Sequence, residues 1–140
     1  MAKVFLGGTC CGTVWRQKLI KLLKIDYYNP VVPGWTEECM KEELRQREIC
    51  DYCLYTITPS MKGVYSIAEV VDDSNKRPEK TILCILEKDI PKKNNYTCQH
   101  VKSFTYGQMK SLKQVARMVK ENGGQVFYSL ENVANYLNKE

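Results

Sequence analysis

A chain of 140 residues, 44% hydrophobic and 26% charged, has the size and balance of one globular domain that buries its own core. No apolar run approaches the ~20 residues of a membrane-spanning helix. The net charge of +5 is spread over the chain, with local groups only at Lys18, Lys21 and Lys24 and at Lys92 and Lys93, whereas a nucleic-acid-binding face concentrates its basic residues.

Met1-Ala2-Lys3 leads directly into the apolar run Lys3 to Leu6, which reads as a chain without a signal peptide. Gly7-Gly8-Thr9 follows, and an amphipathic segment opens near Thr13. The pattern is strand, tight glycine turn, helix. Glycines let the chain turn sharply and let a ligand approach the main chain, and free N–H groups at a helix start favour an anionic or strongly polar ligand. From Thr13 to Lys24, Val14, Leu19, Ile20, Leu22 and Leu23 alternate with lysines, as in a helix packed on a sheet by one face. Ile25 to Asn29 reads as a short second strand ended by Pro30, with Pro33-Gly34 beyond it.

Thr36 is placed to cap a second helix, with Glu37 and Glu38 in its first turn, where carboxylates suit the helix dipole. Met40, Leu44 and Ile49 lie along it. Tyr52 to Thr58 is β-branched, aromatic and almost continuously apolar, which predicts a central strand. Pro59 to Gly63 form its exit loop. Val64 to about Asn75 reads as a third helix, Thr81 to Leu86 as a buried strand, and Ile90 to Phe104 as a polar surface loop. Tyr106 to Asn122 is a long amphipathic helix stopped by Gly123-Gly124. Gln125 to Tyr128 makes a last strand, and Ser129 caps a final helix through Tyr136 and Leu137.

Strands and helices alternating at this spacing predict an α/β fold. It is a single domain over residues 1–140, a flavodoxin-like or Rossmann-like three-layer fold. Its five-stranded parallel sheet, of order 2-1-3-4-5, carries helices on both faces. Ligands then bind at the carboxyl ends of strands 1 and 3, where the loops 7–13, 29–35 and 59–65 converge.

The seven cysteines are odd in number, and Cys39, Cys50, Cys53 and Cys84 fall inside predicted elements, as free thiols of a reducing cytoplasm do. Cys50-Asp51-Tyr52-Cys53 has C-x-x-C spacing but no helix start after it and no second ligand pair. Adjacent Cys10 and Cys11 are expected to point apart, away from any shared ion. Asn95-Tyr96-Thr97 is a glycosylation triplet without meaning in a cytoplasmic protein, and a lone histidine, His100, argues against His-rich metal sites and a Ser-His-Asp triad.

Phe5-Leu6-Gly7-Gly8-Thr9 with Trp15-Arg16, then Tyr28-Asn29-Pro30, then Cys50 to Pro59, then Gly63-Val64-Tyr65-Ser66-Ile67-Ala68-Glu69 follow in order along most of the chain. Together they resemble the nucleoside 2-deoxyribosyltransferase-like family. The resemblance implies a glutamate nucleophile early in the third helix, which here is Glu69. It attacks C1′ of a (deoxy)nucleoside or nucleoside monophosphate, expels the base and holds the sugar as a glycosyl ester until a second base or water takes it. An oxocarbenium-like transition state needs such a carboxylate, and the departing base needs an acid.

The resemblance places Glu43 as the acid that positions the sugar or protonates the base, with Asp51 as a further carboxylate. Gly7, Gly8 and Thr9 line the sugar side. Trp15 and Tyr65 face the base, Arg16 meets a phosphate, and Asn29, Gly63 and Ser66 complete the substrate contacts. It implies neither metal nor organic cofactor, and a homodimer or higher homo-oligomer with sites completed across an interface. The chain departs from close deoxyribosyltransferases in one respect. They carry an acidic residue just before the glycine and the glutamate four residues after it; here Met61-Lys62 precede Gly63, and Glu69 is six residues on. That departure leaves open a non-catalytic nucleotide-binding protein on the same scaffold.

Periodicity alone gives plainer readings. Val64, Ile67, Val70 and Val71 would face the core, leaving Glu69 with Tyr65 in solvent. Glu43 and Arg47 would be an i,i+4 surface pair.

Overall fold

The computed structural model describes residues 1–93, 96–97 and 100–139. In chain order these form β1 (Lys3–Gly8), α1 (Trp15–Leu22), β2 (Asp26–Tyr28), α2 (Glu37–Ile49), β3 (Tyr52–Ile57), α3 (Tyr65–Lys76) and β4 (Thr81–Ile85). Four two-residue strands follow, β5 (Lys88–Asp89), β6 (Lys92–Lys93), β7 (Tyr96–Thr97) and β8 (Lys102–Ser103), then α4 (Tyr106–Glu121), β9 (Gln125–Phe127) and α5 (Leu130–Leu137).

The main sheet is parallel, with order β2-β1-β3-β4-β9. This is the predicted three-layer topology, its last strand being β9. Period-2 alternation divides the strands between two cores. Val4, Leu6, Leu54, Ile82 and Cys84 pack toward Trp15 and Leu19 of α1 and Val133, Ala134 and Leu137 of α5. Phe5, Cys53, Tyr55, Leu83 and Ile85 pack on the other face with Val70 of α3 and Leu112, Ala116 and Val119 of α4. β3 and β4 are buried over almost their whole length, as strands covered on both faces must be.

The starts of α2, α4 and α5 follow the chain's own capping chemistry. Thr36 accepts from the Cys39 N–H, Thr105 and Gln108 form a reciprocal capping box, and Ser129 accepts from the Asn132 N–H. Helix α2 inverts the usual pattern. It buries Gln46 and Arg47 and leaves Met40, Leu44 and Ile49 exposed.

Two expectations change. The stretch 90–104 is not simply a loop, because β5 pairs with β8 and β6 with β7, both antiparallel, and Phe104 is buried in the α3/α4 core. The glycosylation triplet's Asn95 and the neighbouring Asn94 lie outside the described residues. Val64 is not a core residue either. It is the N-cap position of α3 and 68% exposed, so the inward face of the helix begins a turn later. No helix among the described residues is long and apolar enough to cross a membrane.

Candidate active site

The carboxyl ends of β1 and β3 open into a cavity of about 530 Å³, closed by the three loops that follow β1, β2 and β3. Its floor is Gly7 and Gly8. A Cβ on Gly7 would stand 2.8 Å from the Tyr55 ring, and one on Gly8, at φ +115°, would stand 2.1 Å from the Thr56 carbonyl oxygen. Only glycine lets β1 end this close to β3 and leave the main chain bare toward the cavity. Thr9 ties the two loops together, its N–H donating to Thr56 O at 2.9 Å and its Oγ1 accepting from the Thr58 N–H at 3.0 Å.

Glu69 lines this cavity from the first turns of α3, near Gly63, Tyr65 and Ser66. Its side chain is only 18% exposed, so it is not the solvated glutamate that periodicity suggests. The reason lies on α2. Arg47 turns inward and places its Nη1 3.3 Å from Glu69 Oε2, while its Nη2 reaches Asp73 Oδ1 at 2.7 Å. Asp73 is fully buried and also accepts from the Tyr55 hydroxyl at 2.5 Å and from Arg77 Nε at 3.0 Å. Burial opposes the Arg47 charge, but the Asp73 hydrogen bond and the charges of Tyr55, Asp73 and Glu69 outweigh it and hold the guanidinium protonated. Burial pushes the Glu69 carboxyl above the usual carboxylate range, against the pull of Arg47 and with a further push from Glu43 and Asp73.

Glu43 also lines the cavity, but it does not pair with Arg47. Its Oε1 accepts from the indole N–H of Trp35 at 3.1 Å, because Arg47 is committed to α3. Trp35, Val31 and Val32 form an apolar wall that no motif had singled out. Arg16 borders the cavity but is neither solvated nor free to grip a phosphate. It is 5% exposed and donates to the carbonyls of Leu6 at 3.0 Å, Thr9 at 2.5 Å and Gly8 at 3.4 Å, pinning the glycine loop from behind. Burial lowers its pKa to about 10, with Cys10, Cys11 and Glu43 opposing the shift.

Three sequence candidates fall outside the cavity. Trp15 faces the α1/α5 core, is 1% exposed, and spends its indole N–H on Thr9 O at 2.8 Å. Asp51 precedes β3, so it sits at the amino end of the sheet, a strand length of roughly 20 Å from the site, and its Oδ2 accepts from the Lys3 N–H at 2.8 Å. Asn29 turns its Oδ1 to the Val31 N–H at 3.1 Å and shapes the loop after β2.

Arg47, Asp73 and Tyr55, which carry Glu69, were absent from the sequence candidates. The available signal was the i,i+4 spacing of Glu69, Asp73 and Arg77, two acids and a base on one helical face.

The cysteines divide by place. Cys50 and Cys53 are buried, their thiols donating to Gln46 Oε1 and Arg47 O, and burial pushes Cys53 up to about 12. Cys10 and Cys11 do not point apart as expected: both are exposed, with Sγ atoms 3.7 Å apart. No group of three potential metal-ligating side chains occurs among the described residues.

Residues 1–88 match the family model described as nucleoside 2-deoxyribosyltransferase like. The matched stretch spans β1 to β4 and contains the glycine floor, Glu43 and Glu69. Comparison with curated proteins and with solved structures found no match.

Proposed function

Because the chain belongs to the nucleoside 2-deoxyribosyltransferase-like family, we propose that it cleaves or transfers the N-glycosidic bond of a (deoxy)nucleoside or nucleoside monophosphate, with Glu69 as nucleophile. The observation that carries this reading is the half-buried Glu69 carboxylate, held by Arg47 at 3.3 Å and facing a cavity floored by bare glycine backbone. A carboxylate oxygen attacks C1′, the C1′–N bond breaks, and the base leaves with the electron pair. Glu43, which lines the same cavity, gives the departing base a proton in this reading. Attack on C1′ of the resulting ester by a second base gives transfer, and attack by water gives hydrolysis. The Tyr65 ring and the Trp35 wall suit a flat base, and Gly7 and Gly8 suit the sugar.

In the same reading residues 1–140 are one domain and the protein acts in the cytoplasm as a homodimer or larger homo-oligomer. The exposed Met40 and Leu44, one turn apart on α2, together with Trp35 beside the cavity, support the association.

One observation favours a second reading. Lys62 lines the cavity next to Gly63, where close deoxyribosyltransferases carry an acid. A protein that binds a nucleotide-derived ligand without turning it over accommodates that change.

Chromatography of the protein incubated with nucleosides and 5′-monophosphates, with and without a free base, separates the readings. Base exchange supports a transferase and base release a hydrolase. Ligand-induced thermal stabilisation without turnover supports the binding protein.

A further inference from the structure

A second cavity, of about 320 Å³, opens on the α1/α5 face of the sheet, just past the carboxyl end of β4. It shares no lining residue with the cavity of Glu69, and its size is at the lower end of the ~300–1,000 Å³ of small-ligand sites. Asp89 of β5 lines it, is 8% exposed, and has a buried Oδ2 with no hydrogen-bond partner among the described residues. A carboxylate oxygen withdrawn from water and left unpaired is costly, and such groups are rare in folded proteins. Lys18 of α1 and Lys88 of β5 line the same cavity and are exposed; neither they nor Lys102, opposite Asp89 on β8, pair with that oxygen. The rest of the described wall is apolar: Leu86, Ile90, Val101 and Leu130, with Trp15 at 1% exposure.

These features select a ligand by charge and shape. An ammonium group satisfies the Asp89 carboxylate through charge-assisted hydrogen bonds. The lysine charges oppose a bare amine but attract a carboxylate carried beside it. Lys88 alternates with Asp89 along β5, so Lys18 on the facing helix is the cation placed to meet that carboxylate. An aliphatic wall takes a branched apolar side chain, whereas a flat base gains from stacking on exposed aromatic faces, which the described wall does not offer. We propose that this cavity binds a free, zwitterionic α-amino acid with an aliphatic side chain. Its ammonium donates to Asp89, its carboxylate meets Lys18, and its side chain lies on Leu86, Ile90, Val101 and Leu130. The site stands apart from the glycosidic reading, because none of its residues lines the cavity of Glu69.

The test is calorimetric titration of the full chain with leucine, isoleucine, valine and methionine. Three comparison ligands accompany them: 4-methylpentanoate, which lacks the ammonium, leucinamide, which lacks the carboxylate, and adenine. Trp15 emission is followed in Trp35→Phe, where Trp15 is the one remaining tryptophan. At least one of the four amino acids should bind once per chain and shift the Trp15 emission, with 4-methylpentanoate and leucinamide at least tenfold weaker. Asp89→Asn, which keeps the shape without the charge, should weaken that binding at least tenfold. Lys18→Gln, an exposed helix position whose loss the fold tolerates, should do the same and carries the test if Asp89→Asn does not fold. Saturable binding of none of the four, an unchanged Trp15 emission, comparison ligands that bind as tightly, adenine bound in their place, or an affinity unchanged in Lys18→Gln would overturn the proposal. No readout depends on turnover, so a chain that binds the amino acid but transforms no nucleoside refutes only the catalytic reading.

Discussion

Arg47 of α2 reaches across to α3 and holds Glu69 and Asp73 with one guanidinium, its Nη1 3.3 Å from Glu69 Oε2 and its Nη2 2.7 Å from Asp73 Oδ1. The geometry makes Arg47 the positioning residue for Glu69, and Asp73, braced by Tyr55 and Arg77, the anchor for Arg47. Removing the Arg47 guanidinium leaves the fully buried Asp73 carboxylate without its closest charge partner, at a cost of about 3–5 kcal/mol. Arg47→Met is therefore expected to lower the unfolding free energy by an amount in that range, read as a lower urea midpoint at unchanged slope, and Arg47→Lys, which keeps the charge but loses the fork, by less. A loss below about 1 kcal/mol in Arg47→Met would show that the cluster does not hold the helices together.

The raised Glu69 carboxyl has a consequence for stability. When a carboxyl binds its proton more tightly in the folded state than in the unfolded chain, stability falls as pH rises through the window between the ordinary carboxylate pKa and the raised one. Above that window the ionised, buried Glu69 is a net cost. Glu69→Gln should then melt higher than the wild type at pH 7 to 8, and the difference should vanish below the ordinary carboxylate range. Thermal melts at both ends of that range measure it, and a variant less stable than the wild type at pH 7.5 contradicts it.

Gly8 answers for the floor of the cavity. At φ +115°, with a Cβ 2.1 Å from Thr56 O, alanine there must strain the backbone and push β1 from β3. A strained position of this kind costs of order 1–3 kcal/mol before the clash is counted. Gly8→Ala is expected to lose at least about 2 kcal/mol in chemical denaturation, whereas Gly63→Ala, with nothing within 4 Å of its added Cβ, should be nearly neutral.

The two tryptophans report separately. Trp35 lines the cavity and is 54% exposed, while Trp15 is 1% exposed in the α1/α5 core. A base entering the cavity should change the Trp35 emission, and Trp35→Phe should remove that change while leaving the Trp15 emission in place. A ligand-induced change that survives Trp35→Phe places the ligand elsewhere.

The sheet was legible because each of its strands announces itself locally. β3 and β4 are apolar runs, β1 ends in glycines, and the intervening amphipathic helices permit only crossover connections. The floor of the site followed from that topology. Orientation did not. Trp15 and Arg16 are adjacent on α1, and whether they face cavity, core or loop depends on where the first turn of the helix falls after a six-residue loop. Asp51 was misplaced because a residue beside a central strand belongs to one end of the sheet only, and it precedes the strand. Arg47 and Asp73 are 26 residues apart on different helices. Each reads locally as a surface charge, and only the docking of α2 on α3 buries them together. Inverted α2, polar inward and apolar outward, defeats a periodicity argument for the same reason.

The claim that Glu69 bonds covalently to the sugar is tested most directly by intact-mass spectrometry of the protein quenched in acid during incubation with nucleosides and nucleoside monophosphates. The account predicts a species heavier by one glycosyl group, mapped by peptide digestion to Glu69 in α3 and absent from Glu69→Gln, which should still bind the ligand. Base release that continues undiminished in Glu69→Gln, or a glycosyl group mapped to another residue, would contradict it.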